Sequence, residues 1–227
     1  LDYGTWSFPS AEYAASMAPA ALNRHYREYD GIPVAATCSD GSLFTYLFPA
    51  QFIREMETDY GTDTINKAVE CQIRYMEDKG RHAFGISDGH GPPPDYPYQM
   101  GCPPRASNNP NDDPDMGVVI PGALIMSSIT DHQVDTADAL HYLLTNSPLA
   151  FSSTRGFRGS ISVTSSAIST IYSELDDGHA MLALANIINE TAWNGFYANS
   201  SAVTMHQETF GDYPTDIAPP TVWSVTP

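Results

Sequence analysis

Basic side chains are scarce in this chain. Ten Lys and Arg stand against 27 Asp and Glu, giving a formal net charge of −17. Such a surface repels phosphate backbones and acidic membranes, which excludes nucleic acid as a partner and leaves neutral ligands such as sugars, cations and other proteins. Long apolar runs are also missing, and none approaches the roughly 20 residues of a membrane span. Cysteine is sparse: Cys38, Cys71 and Cys102 are odd in number and lack the close pairing of a zinc site. They allow one disulfide plus a free thiol, with the pairing left open. No H-E-x-x-H, G-x-S-x-G, phosphate-binding glycine loop or dinucleotide fingerprint occurs, so no cofactor is expected. The oxygen-rich run from Asn108 to Asp115 misses the helix-loop-helix calcium spacing, because Gly117 falls one residue late. The expectation there is a solvated acidic turn rather than a calcium site, and no metal is expected.

What is present suits a folded chain. Hydrophobic residues make up 42% of 227 positions, enough for one domain or for part of a larger one. A start at Leu1, without methionine or a signal-like segment, fits a processed chain or a piece of something longer. The sequons Asn189-Glu190-Thr191 and Asn199-Ser200-Ser201, with the acidity and the scarcity of lysine, fit a secreted glycoprotein.

The apolar periodicity predicts an all-α chain. Ser10 can cap a helix that carries Tyr13, Ala14, Met17, Ala21 and Leu22, is kinked by Pro19, and ends near Tyr29-Asp30-Gly31. A second helix is expected over Leu43 to Met56. A third starts at Thr62 or Asp63 and carries Ile65, Ala68, Val69, Gln72, Ile73 and Met76. The fourth covers Val118 to Ile129, with Pro121 in its first turn. The fifth starts at Asp135 or Thr136 and stops at Asn146-Ser147-Pro148; the sixth runs from about Asp177 to Trp193. Strand patterns are few, and Gly159 to Val163 is the best of them. Residues 205–227, rich in proline at their end, are expected to form an extended tail after a helical domain over 1–204.

The densest chemistry lies in Ser173-Glu174-Leu175-Asp176-Asp177-Gly178-His179, directly before an apolar helical segment. A helix start favours one carboxylate through its free N–H groups and dipole. The second aspartate either stands solvated or points into a cleft, where a carboxylate serves as a general base or binds sugar hydroxyls. A second unusual stretch opens at Gly85-Ile86-Ser87-Asp88-Gly89-His90-Gly91 and runs about thirty residues without helical pattern, longer than the helix connections of bundles. Phe84, Tyr96 and Tyr98 lie in or beside it. Such aromatics either stack on sugar rings or pin the loop to the scaffold.

Five segments together resemble the glucoamylase-like family, whose relatives include endo-β-1,2-glucanases and the glycan-cleaving domain of cyclic β-1,2-glucan synthases. Cys38-Ser39-Asp40-Gly41-Ser42-Leu43-Phe44-Thr45-Tyr46-Leu47-Phe48-Pro49 is similar to its W-G-G-S-M-F-E-x-L-M-P segment. Phe84-Gly85-Ile86-Ser87 is similar to W-G-[FI]-S, and Val118-Val119-Ile120-Pro121-Gly122-Ala123 to a V-x-P-x-A helix start. Gly156-Phe157-Arg158-Gly159-Ser160-Ile161-Ser162-Val163 is similar to G-F-x-D-S-V-N-V, and Leu175-Asp176-Asp177-Gly178-His179-Ala180-Met181 to L-D-Q-G-M-I-M.

The resemblance implies about half of an α/α toroid of helical hairpins, whose loops build a sugar cleft on one face. The other half would be missing, on another chain that completes the ring, or absent by evolution. It further implies a glycoside hydrolase that acts on or binds a β-glucan, with Asp88 as general acid and Asp176 as general base. Tyr46, Phe84, Tyr98, Asp177 and His179 would bind substrate. The departures point the other way: Thr45 replaces a family glutamate and Gly159 an aspartate. The alternative is a catalytically silent relative that binds glycan or serves an extracellular assembly.

Overall fold

The computed structural model describes residues 26–35, 41–93 and 117–210, and within them the chain is mostly helical, with three short antiparallel strand pairs. The first pair corrects the expected helix end. β1 (Tyr26–Tyr29) and β2 (Ile32–Ala35) form a hairpin through Asp30 and Gly31, whose φ angles are 49° and 77°. Asp-Gly with both residues left-handed is the tight hairpin turn, so the residues read as a helix stop reverse the chain instead. Residues 10–25 of that expected helix lie outside the described residues.

α1 (Leu43–Ala50) buries Leu43, Tyr46, Leu47 and Ala50 and ends at Gln51, earlier than Met56. Phe52 and Ile53 both donate to the Pro49 carbonyl there, and an irregular segment with a tight turn at Glu55–Glu57 follows. A wide turn, Gly61–Asn66, then leads into α2 (Lys67–Asp78). β3 (Val118–Val119) precedes α3 (Pro121–Met126), where a whole helix was expected. α3 is buried at every position, and a tight turn at Ser127–Ile129 extends it. α4 (Gln133–Asn146) follows, then β4 (Phe151–Ser152), β5 (Gly156–Phe157) and β6 (Ile161–Ser162). β4 pairs with β5, and β6 returns to β3.

α5 (Glu174–Asn189) ends at Glu190, a left-handed residue, where α6 (Thr191–Tyr197) begins. α7 (Ser200–Phe210) then crosses the expected boundary at 204, so the stretch 205–210 is helix rather than extended tail. Residues 211–227 lie outside the described residues.

The core holds Leu43, Leu47, Ile65, Val69, Ile120, Leu124, Leu143 and Ala183. α3 sits at its centre and packs against α1, α4 and α5. Cys71 is a buried free thiol facing the Ile32 carbonyl, and burial pushes it up to about 12, so it is no nucleophile. Cys38 and Cys102 lie outside the described residues. Among the described residues no helix is long and apolar enough to cross a membrane.

The junction after α1 holds two buried ionisable side chains of different character. The Arg54 guanidinium pairs with Glu57 at 2.8 Å and Glu190 at 2.7 Å, and packs over the Trp193 ring. This pairing holds the left-handed corner between α5 and α6. Glu55, by contrast, is buried and its Oε2 has no hydrogen-bond partner among the described residues. Burial pushes its carboxyl from 4.5 up to about 8. The folded state therefore keeps a proton that the unfolded chain has lost, and stability falls as pH rises from 4.5 through about 8. Glu55→Gln removes that dependence. Urea unfolding should show variant and wild type nearly equal below pH 5 and the variant ahead by about 3–5 kcal/mol near pH 9. A difference that stays constant with pH would contradict the burial of an unpaired carboxyl.

Candidate functional site

The N-terminal ends of α1, α3 and α5 meet on one side of the molecule, and the segment after Phe84 is laid across them. Gln72, buried in α2, provides the clamp. Its Nε2 donates to the carbonyls of Gly41 (2.9 Å) and Ile86 (2.8 Å), while its Oε1 accepts from the N–H groups of Gly85 (3.3 Å) and Ile86 (2.8 Å). The start of α1 is thereby tied to the 85–86 segment. Two serines continue the seam: Ser42 and Ser87 share a hydroxyl–hydroxyl bond at 3.0 Å, and Ser87 Oγ accepts from the N–H of Phe44. A hydroxyl from another segment thus satisfies a free N–H of the first turn of α1.

Close backbone approach does the rest. Gly85 has a φ of +107°, and a Cβ there would lie 2.9 Å from the Cβ of Leu124. Its carbonyl accepts from Ile120 N–H at 2.9 Å, at the entry to α3. Gly122, in the first turn of α3, sits against α5: a Cβ there would come within 2.8 Å of the Asp176 carbonyl oxygen. Alanine at either position displaces a neighbouring backbone.

Asp176 and Asp177 are separated by their surroundings. Ser173 caps α5 by accepting from Asp176 N–H at 3.2 Å, so neither aspartate serves as the cap. Asp177 lies against Gly156 and accepts from the Phe157 N–H, which commits it to the β4–β5 hairpin. Burial raises its pKa, that hydrogen bond opposes the rise, and the neighbouring Asp176 adds to it. Asp176 is half-buried, and no such backbone donor faces its carboxylate among the described residues. Burial raises its pKa, opposed by the Ser173 hydroxyl and by charge on His90.

His90 belongs to the same loop as Asp88. The Asp88 N–H donates to Ser42 Oγ at 3.1 Å, leaving its side chain exposed, and the His90 carbonyl accepts from the buried Ser160 hydroxyl. The loop therefore runs from the start of α1 to the neighbourhood of Asp176. Thr45 is exposed near the start of α1. Arg158 covers the Tyr172 ring at 4.1 Å and donates to Thr170 O, closing the loop that leads into α5.

Among the other expected site residues, three sit in the interior. Tyr46 and Phe84 are 2% and 3% exposed, so in this structure they belong to the core and offer almost no face to a ligand. His179 is buried, hydrogen-bonded through Nδ1 to Gln51 Oε1 at 2.9 Å and set edge-on to Phe44 and Phe48. Burial lowers its pKa, so it is neutral there and joins α5 to the end of α1. Tyr98 lies outside the described residues. Gln72 and His90 were read only as members of a helix and a loop, and Tyr172 not at all; for His90 the echo between Asp88-Gly89-His90 and Asp177-Gly178-His179 is the one signal in the sequence. Among the described residues no group of three or more His, Cys, Asp or Glu stands close enough to hold a metal ion.

A family model described as "Putative glucoamylase" matches residues 4–200. The chain belongs to this glucoamylase-like family. Three solved structures share the fold. The "putative glucoamylase" of Bacteroides uniformis aligns with a TM-score of 0.66 at 17% identity, over 81% of this chain and 45% of its own. The β-1,2-glucanase of Parabacteroides distasonis gives 0.66 at 18%, over 82% of this chain and 27% of its own. The endo-β-1,2-glucanase of Chitinophaga pinensis, solved with sophorotriose and glucose, gives 0.65 at 15%, over 82% and 46%. The chain thus spans less than half the length of these neighbours. No curated protein is significantly similar in sequence. The five segments that carry the family resemblance are the ones whose described parts converge at the helix ends.

The clamp gives a direct test. Gln72→Ala removes four hydrogen bonds to buried backbone groups, of which only the Ile86 carbonyl keeps another, from the Leu43 N–H, and should cost about 3–5 kcal/mol in urea unfolding. Amide exchange at Gly85 and Ile86 should rise well before that of α4. Unchanged stability would mean that the carboxamide does not hold these segments.

Proposed function

We propose that the protein hydrolyses a β-glucan by acid–base chemistry, with Asp176 as general base and Asp88 as general acid. The observation that carries this reading is the state of Asp176. Of the three carboxylates in the first turn of α5, Glu174 is exposed and Asp177 bonds the β4–β5 hairpin, whereas Asp176 is half-buried and burial raises its pKa, as suits a proton-exchanging group. Glycosidases set two carboxyl groups about the bond, one to protonate the leaving oxygen and one to take a proton from water or attack directly. Asp88, on the loop that His90 brings beside Asp176, is the candidate for the first role. The β-1,2-glucanase activity named for two of the neighbours supports β-1,2-glucan as the substrate to try first.

In this reading the fold is part of an α/α toroid, and the cleft lies over the ends of α1, α3 and α5. Tyr98 stacks on sugar, and Asp177 meets substrate through the hairpin it holds. Tyr46, Phe84 and His179 act by fixing the walls. The acidic chain works outside the cell as a secreted, glycosylated protein.

Thr45 favours a second reading. A threonine cannot exchange a proton at neutral pH as the family glutamate does, so a silent glycan-binding relative would keep this fold and lose turnover.

Reducing-sugar release from β-1,2-glucan separates the two. Asp176→Asn should lower kcat by about 10²–10⁴-fold while the unfolding midpoint holds. As a base, Asp176 must be ionised, so activity should fall as pH drops through a value above its ordinary 3.8. Wild-type protein that binds β-1,2-glucan oligosaccharides without cleaving them would establish the silent reading. Neither binding nor cleavage would end the β-glucan assignment.

A further inference from the structure

α7 is docked through few side chains. Of its eleven residues only Ala202 and His206 are buried, with Val203, Met205 and Phe210 half-buried. It packs against α6, and the Phe210 ring lies 6.3 Å from that of Tyr60. His206 is the one buried polar side chain of the helix, 1% exposed and set against the rings of Tyr197 and Phe210.

The hydrogen bonds around it have a direction. The Arg54 N–H donates to Tyr197 Oη at 3.1 Å, and that oxygen lies 2.7 Å from His206 Nδ1. A phenol has one proton to give, and Nδ1 is the acceptor placed to take it. The relay therefore runs from the Arg54 backbone through Tyr197 to a neutral imidazole. A proton on Nδ1 would reverse the second bond. The buried Tyr197 hydroxyl, already accepting from Arg54, would then lose the acceptor of its own hydrogen.

The neighbouring charges do not offset this. Burial lowers the pKa of His206; Glu57, on the segment after α1, opposes that, and Arg54 adds to it. Arg54 already holds both Glu57 and Glu190, the residue that opens α6. Glu55 keeps its proton at neutral pH, and Glu208 on α7 itself is exposed. Once the helix lifts away, the ring meets water and takes a proton below its ordinary 6.5. Docking is thus strongest above that value and weakens as pH falls below it.

We infer that His206 is an acid-sensitive latch: while neutral it holds α7 on α6, and a proton taken up at Nδ1 releases the helix. The inference stands whether or not the protein cleaves glucan.

Amide hydrogen exchange provides the test, with α4 as the reference, between about pH 7.5 and about pH 5. The open population of α7 should rise about tenfold or more over that range while α4 stays protected. His206→Asn offers an amide oxygen to the Tyr197 hydroxyl but takes no proton, so its α7 protection should not change with pH. Where that variant has an open α7 already at neutral pH, the wild-type imidazole decides. By proton NMR it should stay neutral below 6.5 in the docked state and titrate together with the opening. Three results overturn the inference: α7 protection that is flat with pH, equal acid opening in His206→Asn, or a His206 that titrates at or above 6.5 with α7 still docked.

Discussion

Everything at the candidate site depends on one buried carboxamide. Gln72 gives both its donor and its acceptor atoms to backbone groups of two segments that are distant in sequence. An apolar residue at that point of α2 would pack as well but would strip the Gly41 carbonyl and the N–H groups of Gly85 and Ile86 of this partner, leaving only the Ile86 carbonyl with another, the Leu43 N–H; buried polar groups left unmet cost more than the hydrogen bonds themselves contribute. With the Gly41–Leu43 and Gly85–Ile86 segments fixed, the remaining positions follow by contact. Gly85 bonds the entry to α3, Gly122 sets α3 against the first turn of α5, and Asp176 stands at that crossing.

The crossing explains why adjacent aspartates behave differently. A helix start supplies free N–H groups that draw carboxylates, but Ser173 has taken the capping place. Asp177 turns to the Phe157 N–H, while Asp176 is pressed among α3, Ser173 and the His90 loop. The same rule of burial acts on Glu55 at the other end of α1, whose Oε2 has no hydrogen-bond partner among the described residues and whose carboxyl is pushed up to about 8. There the raised value is a liability to stability. Position, more than the shift itself, separates a candidate acid–base group from a merely costly one.

Much of the helical frame was legible in the sequence. The apolar spacing of Ile65, Ala68, Val69 and Met76, and of Ala139 and Leu143, marks faces that are buried in the structure. The failures have physical causes. Asp30-Gly31 carries the same residues whether it stops a helix or turns a hairpin, and only the pairing of β1 with β2 decides. Gln72 stood in the apolar stripe without a sign that its side chain was needed, since its four partners are 13 to 31 residues away. Tyr46 and Phe84 were read as sugar platforms because aromatic rings suit both sugars and cores; their burial belongs to tertiary packing, which spacing does not report. Family membership was legible too, and two of the segments read for it carry Gly85 and Gly122, where close backbone approach leaves no room for a side chain.

The central claim is that Asp176 is a half-buried proton-exchanging carboxyl beside a saccharide site. Carbon-13 NMR of the side-chain carboxyls, titrated with and without sophorotriose, tests it most directly. The account predicts an Asp176 resonance that titrates above 3.8 and moves when the sugar is added. An Asp176 that titrates at or below its ordinary value and ignores the sugar would contradict it.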